Sequence, residues 1–195
     1  MGVLVMGLTF NEKHSSEMGL VMRSKNRPIL PSPKIITEEV MGADGSLDFS
    51  DANVDGRTKY KDRIITVNFS IIEGSSAVLH ARARDIAKWL NCGEKLLVFD
   101  DQPMVYYLAR VNNKIDLEKQ IVSLQEFTVQ FKCRPFMYSF INSLTENLQL
   151  GQGLQLGYGL RFDMKPATFS ISENTDITVY NAGDYVKPTF KITGT

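Results

Sequence analysis

RIITVNFSI, residues 63–71, puts Ile65, Val67, Phe69 and Ile71 on one face and Thr66, Asn68 and Ser70 on the other. Successive side chains of an extended chain point to opposite sides, so this period of two predicts a half-buried strand. EFTVQFKC, residues 126–133, repeats the pattern, with Phe127, Val129, Phe131 and Cys133 alternating with Thr128, Gln130 and Lys132. Between them the period changes once. Leu79, Ala83, Ile86, Ala87 and Leu90 form an apolar stripe at helical spacing and predict one helix over about residues 76–91. Ser75 or Ser76 suits its N-cap, and Gly93 suits a left-handed end.

Working outward, KLLVF and MVYYLARV read as strands joined by the turn DDQP, and Asn112-Asn113 breaks the chain before the next strand. VLVMGLTF and KIITEEVMG add further strands at the N-terminal side. Short strands, turn signals and a single helix predict a mainly β, α+β fold. It is an antiparallel domain with the helix on one face or end of the sheet, occupying residues 1–140. Residues 141–195 differ. LQLGQG (148–153) is followed directly by LQLGYG (154–159), too few copies for a β-helix, and reads as a glycine-punctuated arm or hairpin. ATFSIS, DITVY and PTFKIT then predict strands of a second domain, a β-sandwich cut short at Thr195 or completed by another chain.

Composition excludes several functions. The 195 residues are 43% hydrophobic and 23% charged, and 22 basic residues balance 22 acidic ones. A nucleic-acid binder replaces condensed counterions with a basic surplus, so sequence-specific nucleic-acid binding is not expected. No apolar run reaches the length of a membrane helix, and MGVLVMGLTF lacks the basic start of a signal peptide. Met6 stands where a myristoylation signal needs Ser or Thr. Assembly in a cytoplasm without membrane insertion follows. Cys92 and Cys133, with no CxxC and no histidine pair, read as reduced, buried residues.

DANVDGRTKYKD (51–62) places Asp51, Asn53, Asp55, Gly56 and Asp62 at EF-hand positions, but Thr58 replaces the apolar anchor and the flanks are not helices. A solvated turn is the better reading than a calcium loop. His14 precedes Ser15 and Ser16, yet neighbouring side chains on an extended segment diverge, so a surface histidine is expected rather than a Ser/His pair. His80 falls on the helix beside Arg82 and Arg84, on its solvated or interface side. Glu38-Glu39 and Asp100-Asp101 are turn carboxylates rather than a glycosidase pair. Asn68 heads the triplet NFS, but inside a strand. No catalytic, cofactor-binding or metal-binding residue is assigned.

Several stretches resemble the distal tail protein family of long-tailed phages and prophages. VLVMGLTFNEKHSSEMGLVM is similar to that family's opening strand and its following segment, and RPILPSPKIITEEVMGADGSLDF to its next block. DRIITVNFSI, the helix ending in AKWL, KLLVFDDQPMVYYLARV and FTVQFKCRPFMYS continue the order. VYNAGDYVKPTFKITG is similar to the first strands of the family's galectin-like sandwich. The resemblance implies a structural protein of the virion tail tip and no enzyme. It implies a hexameric ring with a channel for DNA, joining the tail tube to the hub or tail-associated protein, with receptor-binding or baseplate proteins at its periphery. The alternative from residues alone is a monomeric β-rich module that binds carbohydrate, for which Trp89 is the single tryptophan; a cell-wall hydrolase is a more distant third.

Overall fold

The computed structural model describes residues 6–54, 56–71, 76–115, 126–140, 169–177 and 192–193. Contacts divide the chain into two units, Met1–Phe140 and Ile141–Thr195. In the first unit the strands are β1 (Leu8–Phe10), β2 (Lys13–His14), β3 (Leu20–Asn26), β4 (Thr37–Glu39), β5 (Ser46–Asp48), β6 (Arg63–Ile71), β7 (Lys95–Phe99), β8 (Val105–Val111), β9 (Glu126–Cys133) and β10 (Tyr138–Ser139). A 3-10 turn, Ser15–Met18, and the helix α1, Ser76–Leu90, complete it.

Eight strands form one antiparallel sheet in the order β2-β1-β7-β8-β9-β6-β3, with β10 also pairing β8. The two strands read most directly from sequence, β6 and β9, are neighbours: Ile65 faces Phe131, Val67 faces Val129 and Phe69 faces Phe127. Their alternation therefore lands in one place. The inward residues of both strands are buried, and Phe69 and Phe127 lie 5.6 Å apart between ring centroids. Leu79, Ala83, Ile86, Trp89 and Leu90 bury the inner stripe of α1 in the same core. Each fully buried side chain of this size contributes about 1.5–3 kcal/mol.

The expected stripe is corrected at one position. Ala87 is exposed and Trp89 is buried instead, at 4% exposure, because its ring turns inward against Phe10. Gly93, with φ of 75°, follows the helix end in the left-handed region where a side chain is disfavoured. Asn113 does more than break the chain. Its amide donates to the carbonyl of Thr128 and its carbonyl accepts from the N–H of Gln130, clipping the connection to β9.

KIITEEVMG gives only the three residues of β4, which pair with β5 as a separate two-stranded sheet. In the second unit, residues 169–177 are irregular where ATFSIS and the start of DITVY predict strands, and Phe169 and Ile171 are exposed. A strand requires a neighbour for its ladder, and no pairing is made among these described residues. The LQLGQG/LQLGYG repeat, the strand PTFKIT up to residue 191, and the galectin-like reading lie outside the described residues.

Candidate functional site

Two features of the first unit concentrate unusual geometry: a clasp around His14 and Asp100, and the long connection from β3 to β6. The clasp begins at the tight β1–β2 hairpin, whose Asn11 and Glu12 both have positive φ. The turn after it folds the chain back on itself. Ser16 N–H donates to His14 Nδ1 at 3.3 Å while His14 N–H donates to Glu17 Oε1 at 3.0 Å, a reciprocal cap. With Nδ1 accepting, a ring proton sits on Nε2, which lies 3.1 Å from Asp100 Oδ2. The same oxygen accepts the N–H of Gly7 at 2.7 Å.

This arrangement corrects the sequence reading. Ser15 does diverge from His14 and is buried, its Oγ accepting from Leu8 N–H, but Ser16 Oγ comes within 2.6 Å of His14 Nδ1. The 3-10 turn, not an extended segment, brings it there. Ser16, His14 and Asp100 thus form a serine–histidine–aspartate chain, yet each member is occupied in capping: Nδ1 already accepts an amide, and Asp100 holds a backbone N–H. The backbone is as close as it can be. A Cβ on Gly7 would stand 2.5 Å from His14 Nε2.

Asp101, next in the β7–β8 turn, fastens the other feature. Lys25 Nζ and Arg27 Nη2 approach its Oδ2 at 2.6 and 3.0 Å, and both cations lie over the ring of Phe99. Partial burial alone would raise the Asp101 carboxyl, but the two cations win and hold it below the ordinary carboxylate range. Beyond this anchor Arg63 Nη1 donates to the carbonyl of Pro28, and Pro33 bridges to Tyr60. Tyr60 meets Phe136 edge-on at 5.5 Å, and Asp62 pairs with Lys132. Residues 27–62 are therefore an arm with a fixed root.

The arm itself is bare. Residues 32–49 are exposed without exception, among them Ile35, Ile36, Met41 and Leu47, with Met41 fully open to solvent. An isolated two-stranded hairpin is marginal in water, and exposed apolar side chains at this density mark an interaction surface. The sequence predicts a further strand at KIITEEVMG. The missed signal is the proline-spaced run ILPSPKII, which joins large apolar residues to a segment that has no regular burial period.

The remaining candidates are dispersed. In the Asp51 loop, Asp51 Oδ1 accepts from Thr58 and Asn53 donates to the carbonyl of Arg57, so these side chains close a turn; Asp55 lies outside the described residues. Glu38 and Glu39 sit on β4, facing Leu47 and Ser46 rather than each other's partners in a cleft. His80 is exposed on α1, and Asn68 bonds Ser24 and Thr128 across the sheet. Burial pushes the Cys133 thiol up to about 12 and raises that of Cys92 as well; both are free. An open groove of about 360 Å³ between the end of α1 and β8 is lined by Leu90, Asn91, Arg110 and Asn113, with no nucleophile or acid.

Residues 13–133 match the family described as phage tail protein RIFT-related domain. The chain belongs to this family. The match spans β2 to β9 and includes the arm, α1 and the Asp100-Asp101 turn. The fold is also that of the Dit protein of phage SPP1, described as a paradigm of hub adsorption apparatus in phages infecting Gram-positive bacteria. The two superpose with a TM-score of 0.57 at 15% identity, over 69% of this chain and 52% of that one. This tail protein thus spans about half the length of that relative. No curated protein sequence matches it. Family membership makes it a structural protein of a phage tail, and its fold is shared with that Dit protein.

Proposed function

We propose that this tail protein forms a hexameric ring at the tail tip, joining the tail tube above to the central hub or tail-associated protein below. The exposed apolar arm carries the reading. Residues 32–49 have a fixed root and no cover, as expected of an element that finishes its packing on another subunit. The neutral charge balance suits a protein whose partners are proteins, namely copies of itself, the tube, the hub and peripheral receptor-binding or baseplate proteins. No sequence-specific nucleic acid or membrane is a partner in this reading, and no catalytic, cofactor or metal residue is involved. In this reading residues 1–140 form the ring domain and residues 141–195 belong to a second, β-rich domain. Assembly takes place in the bacterial cytoplasm.

The capping roles of His14, Ser16 and Asp100 account for their contacts without catalysis. A carbohydrate-binding module would present aromatic rings to its sugar, and Trp89, the single tryptophan, is buried. Light scattering after size-exclusion chromatography, over a range of concentrations, tests the ring. A mass near six times 22.0 kDa is expected; a monomer at every concentration overturns it.

A further inference from the structure

We infer that the cationic hollow formed by Lys25, Arg27 and Arg63 is a carboxylate-binding site. It is built within one chain and stands whether or not a ring assembles. Strands β9 and β6 lie between β3 and β8 in the sheet, yet Lys25 and Arg27, at the end of β3, reach Asp101 in the β7–β8 turn. The sheet curls far enough to bring them together. The Lys25 ammonium and Arg27 guanidinium lie over the Phe99 ring at 5.1 and 5.3 Å, and the Arg63 guanidinium over the Tyr107 ring at 5.6 Å. The two rings are 6.4 Å apart, so three cations share one aromatic floor.

Asp101 alone faces these charges. The neighbouring acids are committed elsewhere, Asp100 to His14 and the N–H of Gly7, and Asp62 to Lys132. Cys133, near enough to feel Arg63, stays a neutral thiol because burial pushes it up to about 12. Arg27 Nη1 and Arg63 Nε are buried with no hydrogen-bond partner among the described residues, and Arg63 is only 7% exposed. A buried cation that lacks an acceptor is costly.

The unused groups define what fits. Two N–H donors on two guanidiniums call for two acceptor oxygens, and one carboxylate presents two in a plane. Asp101 Oδ2, 2.6 Å from Lys25 and 3.0 Å from Arg27, already shows this chemistry in the hollow. A second carboxylate beside it would bring the cluster close to neutrality. The hollow is not sealed: the side chains of Lys25 and Arg27 keep 18% of their exposure and that of Asp101 keeps 28%. Met137, itself exposed, stands at its rim, 3.9 Å from the Tyr107 hydroxyl.

Thermal unfolding of the full chain at neutral pH tests the site, with propionate, phosphate or chloride added as sodium salts at matched ionic strength. Propionate is expected to raise the midpoint by about 2–4 °C over chloride, and phosphate by less. Arg27→Met and Arg63→Met each remove one of the unused donors and should abolish that difference. Circular dichroism checks that each is folded, and Arg27→Met, the less buried change, decides alone if Arg63→Met is not. In the wild type itself, an arginine Nε–H signal followed by nitrogen-15 NMR should move saturably with propionate. N-acetylglutamate methylamide separates the sources: a shift matching that of propionate assigns the site to a side-chain carboxylate of another protein, and none assigns it to free carboxylate ions. Equal midpoints in propionate and chloride, a phosphate shift as large as that of propionate, an unchanged difference in the folded variants, or an unmoved Nε–H signal overturns the assignment.

Discussion

Trp89 donates its indole N–H to the backbone carbonyl of Phe10 at 2.7 Å, and its ring meets that of Phe10 edge-on at 6.1 Å. One side chain of α1 thus pins the first strand of the sheet through both a polar and an aromatic contact. Trp89→Phe keeps most of the packing but leaves the buried carbonyl unpaired, and is expected to cost about 1–3 kcal/mol. Trp89→Ala adds a cavity and should cost roughly 3–5 kcal/mol. Urea unfolding followed by circular dichroism measures both; no loss in Trp89→Phe would mean that the hydrogen bond contributes nothing.

Gly7 is held by proximity rather than by backbone angle. Gly7→Ala places a methyl group 2.5 Å from His14 Nε2 and must displace the ring from Asp100. The expected destabilisation is about 1–3 kcal/mol, the usual range for overpacking. Removing the ring relieves the clash, so Gly7→Ala combined with His14→Ala should lose less than the sum of the two single changes. Strict additivity would place the strain elsewhere.

Asp101 makes stability depend on pH. Its carboxyl is depressed in the folded chain, so the unfolded chain binds the proton more readily and stability rises with pH across this range. The contribution is present above the unfolded value of about 3.9 and is lost as pH falls below it. Asp101→Asn should lower stability at pH 7 and flatten its fall in acid. An unchanged acid profile, measured by urea midpoints from pH 2 to neutrality at about one-unit steps, would rule out this ion pair as the source.

The two thiols should separate cleanly in alkylation. Cys133 is 1% exposed with its thiol raised to about 12, whereas Cys92 is half-buried. At pH 8 iodoacetamide is expected to label Cys92 first, and Cys133 only as fast as the sheet opens. Peptide mass spectrometry reads each site; rapid labelling of Cys133 would show that β9 opens locally.

The sheet was legible because β6 and β9 each bury one face, which forces a strict period of two, and α1 because its stripe changes that period to a helical one. Their pairing as neighbours was not written in either segment, since register is decided between strands far apart in sequence. Residues 27–62 were less legible. A segment exposed along its whole length buries no face, so TEE and SLD carried no alternation to read. The His14 clasp failed for a different reason. Adjacent residues on a strand diverge, but Gly19, with φ of 69°, ends a 3-10 turn that returns Ser16 to His14, and only the turn reveals this.

The arm leaves the sheet between β3 and β6, and those strands are antiparallel neighbours whose ends lie together: Asn26 faces Thr66 at the exit. Tension on the arm therefore enters two adjacent strands at the same end and pulls along their length. The β6–β9 ladder, running from Arg63 opposite Cys133 to Ser70 opposite Glu126, is loaded in shear. Its rungs lie across the strands and share the force together instead of parting one by one. Force on the arm is thus met by the longest described pairing of the sheet, the eight residue pairs of β6 and β9.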